Sequence, residues 1–474
     1  MSVKTPKPEV FFLSDEEGTI AYAPLQRVAA RVNSSAARLI SQHLDALGTS
    51  NGSAEKLNAE EQEVIDSLAA HRLFEETPLP RNANNIEHFA PIKVTLFPTN
   101  RCNLRCTYCY ATGGEGDPFP QTEGGQKDEE QKENFTTLDI NAGKAAIDFV
   151  ANNAIERAKS SEHCTNFLVS FHGNGEPFCA LELVKELVYY AHDVSEELDF
   201  PLVLNCATNG VLTDEQREFM LAYFNNVNIS FDGLPEIQDR QRPLPGGRGS
   251  FEAVDKTLKA LNDSAVEFGI RATITEDCIE HIPAMARFVA EHYPRIQQLH
   301  LEPVWECGRC LTTHTSTPQA HAFMDAYLKA IDEQGDTGVR LVYSGARQDI
   351  LTDAFCAVSN GGFTVTPTGD VTSCFEVSYK SDPRAERYFY GSYNPGSSSF
   401  EFDEGALAKL SRLNVHNIPH CKDCFCKWHC AGDCAAKLLE EREPEDHRGS
   451  SRCDINRALT LRQIQRRLDW SEDE

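Results

Sequence analysis

Six short β-rich runs alternate with five helix-length stretches between residues 92 and 302, and this alternation constrains the fold most. The runs are 92–96, 167–171, 202–207, 227–231, 270–274 and 298–302. The stretches between them, 137–158, 181–195, 213–224, 250–262 and 281–292, have helical length and apolar spacing. Strands joined by helix-sized crossovers pair in parallel, which sets the class as α/β. In α/β barrels the chemistry sits in the loops just past the carboxyl ends of the strands.

The loop after the first run reads Phe97-Pro98-Thr99-Asn100-Arg101-Cys102-Asn103-Leu104-Arg105-Cys106-Thr107-Tyr108-Cys109-Tyr110. It places Cys102, Cys106 and Cys109 at C-x3-C-x2-C spacing. A four-iron cluster is usually held by four thiolates, so three close thiolates leave one iron open to a small molecule. The competing reading is a zinc site with a distant fourth ligand, although zinc sites favour paired C-x2–4-C units. Three further strand ends carry ligand-type residues. Gly173-Asn174-Gly175-Glu176-Pro177 lets backbone approach a ligand closely. Ala207-Thr208-Asn209-Gly210 is either a plain Asn-Gly turn or part of a site wall. Ser230-Phe231-Asp232-Gly233 precedes Arg242, whose guanidinium suits a carboxylate or a surface ion pair.

The second constellation lies near the C-terminus. Cys356 is followed by twelve residues, Gly369, four residues and Cys374. Then come Cys421-x2-Cys424-x5-Cys430-x3-Cys434 and, after a gap, Cys453. Residues 363–374 read as a hairpin closed by Thr368-Gly369-Asp370, which brings distant thiols together. A zinc ribbon over 421–434 is the alternative. Cys307 and Cys310 form a lone C-x2-C after the sixth strand, and Cys426 is additional. Cys164, Cys179, Cys206 and Cys278 sit in or beside apolar segments and read as core residues.

These two motif sets resemble the radical S-adenosylmethionine (SAM) enzymes that carry a SPASM domain, over roughly residues 90–460. The resemblance implies an open (β/α)6 partial barrel. It also implies three [4Fe-4S] clusters and SAM, which the first cluster cleaves to methionine and a 5′-deoxyadenosyl radical. Carried over, Cys102, Cys106 and Cys109 hold that cluster, and Tyr108 lies near the adenine. Gly173, Asn174, Gly175 and Glu176 match the G-G-E-P motif that holds the SAM amino group, with Asn174 in place of a glycine. Ser230 and Arg242 match residues on the ribose and carboxylate. Cys421, Cys424, Cys430 and Cys453 take the outer auxiliary cluster, and Cys356, Cys374 and Cys434 the inner one. The inner set is a ligand short: Cys307 or Cys310 completes it, or it stays open to a substrate thiolate.

The implied function is maturation of a ribosomally made precursor peptide, with a C–C, C–O or C–S crosslink formed by net two-electron oxidation. The electron donor would be a flavodoxin or ferredoxin. The runner-up is an anaerobic sulfatase-maturing enzyme, which makes formylglycine from Cys or Ser. A non-catalytic iron–sulfur carrier is a third class, and it leaves the Gly175-Glu176 loop unexplained. Glu302 and Glu376 are the candidate general bases.

Net charge is −27 and the pI about 5.0, which argues against a nucleic-acid partner. No run has the length of a transmembrane helix and no apolar leader opens the chain, so a cytoplasmic protein is expected. Seventeen cysteines in a reducing compartment point to metal ligation. Residues 1–88 read as two strands, 10–13 and 18–23, and two helices: one over 36–47 capped by Ser34, the other over 59–73. This pattern resembles the winged-helix peptide-recognition modules of peptide-modifying relatives; a plain cap on the barrel is the alternative. The barrel is expected over 89–305, a bridge over 306–345 and the SPASM domain over 346–474. Residues 113–135, rich in Gly, Gln, Glu and Lys, read as a mobile loop: either a lid over substrate or an inserted segment.

Overall fold

The computed structural model describes residues 8–15, 17–47, 57–80, 89–117, 135–160, 164–334, 338–438 and 443–471. Most of the loop expected over 113–135, residues 118–134, lies outside them, as does Glu16 of the first turn. Among the described residues no helix is long and apolar enough to cross a membrane.

Strands β1 (Phe11–Asp15), β2 (Gly18–Ala23) and β3 (Val28–Val32) form a small antiparallel sheet. Two helices accompany it, α1 (Ser34–Leu47) and α2 (Ala59–Ala70). Ala21, Ala23, Ile40 and Leu73 make the core between them. The α1 cap is Asn33, whose Oδ1 accepts from Ala36 N at 2.8 Å; Ser34 is already helical. Leu47 on α1 and Val64 on α2 are exposed. The unit docks on the cysteine-rich tail. Tyr22 Oη meets His429 Nε2 at 2.5 Å, and Glu9 accepts from Trp428 Nε1 at 2.6 Å and from Lys427.

The large sheet starts with β4 (Lys93–Leu96) and continues in parallel through β5 (Phe167–Phe171), β6 (Leu202–Thr208), β7 (Asn226–Ser230), β8 (Glu267–Ile274) and β9 (Gln298–Pro303). A short β10 (Arg340–Val342) extends it by one parallel strand beyond the expected six. The crossover helices are α3 (Ile140–Ala158), α4 (Leu181–Glu197), α5 (Asp214–Tyr223), α6 (Pro235–Gln241) with α7 (Phe251–Asn262), and α8 (Ile282–His292). Asp139 caps α3 by accepting from Asn141 N at 2.7 Å, and Thr213 with Gln216 forms a capping box on α5. Each such cap contributes about 1 kcal/mol. Phe167, Val169, Phe171, Val227, Ile229, Phe268 and Ile270 are fully buried, as expected of strands covered by helices.

The other edge of β4 is not free. Strand β11 (Thr364–Val365) pairs with it in parallel, Thr364 opposite Thr95. Strands β12 (Asp370–Thr372), β13 (Phe389–Asn394) and β14 (Ser399–Phe402) then continue antiparallel. The result is one eleven-stranded sheet that runs through the boundary placed at residue 346. Gly369 takes φ +81° at the β11–β12 turn, as that hairpin requires. Phe89 with Phe363, Tyr390 and Phe402, and Phe149 with Phe363, pack edge-to-face across the junction, with centroids 4.9 to 6.2 Å apart.

Candidate active site

At the carboxyl ends of β4 to β9 a cavity of about 230 Å³ opens. Cys102, Cys106 and Cys109 line it together with Tyr108, the 173–176 loop, Thr208, Asn209, Ser230 and Arg242. The cysteine loop is held mainly through its carbonyls. Arg105 Nη1 donates to Cys102 O (3.0 Å) and Leu104 O (2.9 Å), and its Nη2 to Gly114 O (3.1 Å). From the segment after β9, buried Arg309 donates to Cys106 O at 2.7 Å and Gly113 O at 3.2 Å, and pairs with Glu115 at 3.1 Å. Two sulfurs receive N–H groups: Gly113 N lies 3.3 Å from Cys109 Sγ, and Asn209 Nδ2 3.8 Å from Cys102 Sγ.

Burial pushes the Cys106 thiol up to about 11 and Cys102 well above its ordinary value, and the neighbouring thiols add to both. Thiols so placed ionise together only against a cation. Among the described residues no three His, Cys, Asp or Glu side chains converge on a single-ion site. The donors line a cavity instead, which suits a cluster whose irons each take one thiolate.

The 173–176 loop packs directly on the cysteine loop. Glu176 N donates to Arg101 O at 2.7 Å, and a Cβ on Gly175 would lie 2.1 Å from that same oxygen. Gly175→Ala is therefore expected to push the two loops apart and weaken SAM binding at least tenfold, read by equilibrium binding to the reconstituted protein. Asn174 keeps a negative φ, so the departure from glycine is accommodated without strain. Glu176 is a strut: it accepts from Thr208 Oγ1 (2.7 Å), Asn209 N (2.7 Å) and Phe178 N (3.3 Å). Burial outweighs these donors and raises its carboxyl to about 7. Glu176→Ala is expected to leave three buried donors unpaired and to lower stability by about 2–4 kcal/mol, measured by chemical unfolding. The 207–210 segment, left open between turn and site wall, lines the cavity through Ala207, Thr208 and Asn209.

Ser230 and Arg242 line the same cavity. Arg242 is fastened by Asp232, which the sequence reading did not single out. Asp232 is fully buried and accepts from Arg242 Nε (3.0 Å), Arg242 Nη2 (3.2 Å), Thr273 N (3.0 Å) and Tyr108 Oη. Tyr108 in turn lies 5.1 Å under the guanidinium. Two of the five guanidinium N–H donors are thus committed and three remain for a ligand. On the far wall are His172, Arg271, Glu302, Cys307, Glu376 and Lys437. Burial, then Arg271, lowers His172 to about 4, so the imidazole is neutral, with Nδ1 accepting from Gly173 N at 2.8 Å. Burial alone would raise Glu302. Arg452 (3.1 Å) and Lys437 (3.6 Å) outweigh it and hold the carboxyl well below the usual range. Ser344 donates to the same side chain at 2.6 Å, so Glu302 is a fixed anion, not a proton acceptor.

A second cavity of about 460 Å³ is lined by Cys356, Cys374 and Cys434, with Phe89, Phe363 and Glu376. Glu376 lines both cavities. Cys421, Cys424, Cys430 and Cys453 form a separate neighbourhood: burial and then Cys424 and Cys453 push Cys421 up to about 12. There Asn456 Nδ2 donates to Cys430 Sγ at 3.1 Å. The extra thiol, Cys426, lies 3.4 Å from Cys424.

Neither Cys307 nor Cys310, the expected completions of the inner set, lines the second cavity. Arg309 N donates to Cys109 O at 2.9 Å, and Gly308 turns at φ +54° against the carbonyls of Cys109 and Tyr110. This segment is thereby tied to the first cavity. Cys307 faces that cavity, and Cys310 packs beside Tyr108 and Val304. Cys164, Cys206 and Cys278 are buried, whereas Cys179 is exposed.

Residues 96–289 match the profile of the radical SAM superfamily. The chain carries a radical SAM domain over those residues. It is 28% identical over 237 residues to the Fe-coproporphyrin III synthase of Methanosarcina barkeri, covering 49% of each chain. It is 25% identical over 289 residues to the antilisterial bacteriocin subtilosin biosynthesis protein AlbA of Bacillus subtilis, covering 60% of this chain and 55% of that one. With a cysteine-type anaerobic sulfatase-maturating enzyme of Clostridium perfringens it shares 24% identity over 221 residues, covering 46% and 54%. The chain spans about half the length of each of these relatives. The solved structure of native anSMEcpe with bound AdoMet superposes with a TM-score of 0.58 at 16% identity, over 81% of this chain and all of that one. That likeness shows the fold.

Proposed function

We propose that this chain is a cytoplasmic peptide maturase that forms an intramolecular crosslink in a ribosomally made precursor. The carrying observation is the pair of thiol-lined cavities that share the Glu376 wall, one at the strand ends and one in the cysteine-rich tail. Cys102, Cys106 and Cys109 hold the SAM-binding cluster, Cys356, Cys374 and Cys434 the inner auxiliary one, and Cys421, Cys424, Cys430 and Cys453 the outer one. When bound, these groups and SAM supply hydrogen-atom abstraction and take up the second electron of a net two-electron oxidation.

The chain's own residues position the ligand. Backbone of the 173–176 loop would hold the amino group of SAM. Asp232, which fixes Arg242, would leave that guanidinium free for the carboxylate, and Ser230 would take the ribose. The solved structure of native anSMEcpe with bound AdoMet and Cp18Cys peptide supports a peptide substrate, and the small sheet that contacts the tail through Tyr22 and His429 is our candidate for recognising its leader. Reducing equivalents come from a flavodoxin or ferredoxin.

The test uses anaerobically reconstituted enzyme, SAM, dithionite and a short peptide encoded beside its gene. The expected product is lighter by two hydrogens and resists fragmentation between two residues. A two-hydrogen loss at a single Ser, with an aldehyde that reacts with hydrazine reagents, would instead assign a sulfatase-type maturase.

A further inference from the structure

The inner auxiliary site has three thiols, Cys356, Cys374 and Cys434, and among the described residues no fourth cysteine lines it with them. The geometry points to Glu376: we propose that its carboxylate is the fourth ligand there, so that this chain closes the site itself and does not leave it open to substrate. The proposal rests on the reading that these three thiols hold a cluster.

Four observations carry it. Glu376 lines the same cavity as the three cysteines. It follows Cys374 by two residues in a turn fixed by Val377 N to Cys374 O (3.2 Å), and Thr372 Oγ1 donates to Val377 O at 2.8 Å. The two side chains are therefore positioned as one unit. Among the described residues the buried Glu376 Oε2 has no hydrogen-bond partner. Its other oxygen has one cation, Lys437 at 3.8 Å, and Lys437 is shared with Glu302 at 3.6 Å. A buried carboxylate oxygen without a partner costs about 1–3 kcal/mol, and placing it beside three thiolates adds repulsion. A cationic cluster at the centre of the cavity reverses both terms. Oxygen donors are acceptable to iron, and one carboxylate among thiolates raises the reduction potential relative to a fourth thiolate by donating less charge.

The test uses full-length, anaerobically reconstituted protein. Cys356→Ala with Cys374→Ala should first lower bound iron by about four per chain. Unchanged iron would overturn the reading underneath, and the proposal with it. Given that loss, Glu376→Gln and Glu376→Ala should shift the electron paramagnetic resonance of the reduced auxiliary clusters. In both variants added cyanide or free cysteine should shift it again, while the native protein does not respond. Glu376→Cys should keep the iron and lower the potential. Gln and Ala spectra identical to the native one would remove Glu376 from the cluster. A native spectrum that moves with cyanide as the Ala variant does would show an open site.

Discussion

Replacing Arg452 with leucine is expected to destabilise the fold by about 3–5 kcal/mol, the cost of leaving buried carboxylates without their cation. Arg452 grips Asp433 with two bonds, Nε to Oδ2 at 2.9 Å and Nη2 to Oδ1 at 3.0 Å. It reaches Glu302 on β9 at 3.1 Å with the same Nη2. One side chain on the C-terminal helix (Ser451–Ser471) therefore ties the cysteine-rich tail to the barrel. The pH dependence separates this from simple loss of packing. In the native protein burial opposes ionisation of Asp433 and Glu302, but Arg452 wins and both carboxyls lie below their usual values. Their contribution is complete above the ordinary carboxylate range and is lost as pH falls through the depressed values. Without Arg452, burial raises both groups, and stability falls as pH rises through them. The deficit of the variant should thus shrink from about pH 7 to about pH 5, followed by thermal unfolding. A deficit constant across that window would mean the guanidinium acts by packing alone.

Replacing Cys102, Cys106 or Cys109 with alanine is expected to reduce SAM cleavage to background and to lower bound iron by about four per chain. Each of the three thiols lines the first cavity. The fold itself should survive, because the loop is held through its carbonyls by Arg105 and Arg309. Cys206→Ala, buried in β6, should leave the iron unchanged. Iron content and 5′-deoxyadenosine release, measured on the same samples, separate a lost cluster from a misfolded loop.

Much of this was legible because it is local. Strands β4 to β9 and their crossover helices lie within a few residues of where apolar runs and caps place them. The strand-end loops carry the cavity's named residues. What was missed is either short or distant. β10 has three residues, and β3, Val28-Ala29-Ala30-Arg31-Val32, offers two alanines where a strand signal needs bulk. β13 and β14 had a signal that was not used, aromatic alternation on either side of Pro395-Gly396. Arg309 lies 203 residues from Cys106, and no spacing rule in one sequence reaches that far. Asp232 stood beside Ser230 in plain view, but only the fold shows that its carboxylate holds Arg242. Thiol spacing in the lone C-x2-C does not report which cavity the turn faces, and Cys307 lines the first one.

The pairing of β4 with β11 bears on how the chain is made. The strand that carries the cysteine loop receives its outer neighbour only after the ribosome has passed the whole barrel. Until then the β4 edge presents unpaired backbone groups, the kind of edge that recruits other chains. So distant a pairing is also slow to form. Chains released before residue 364 are left with an adhesive margin that never closes.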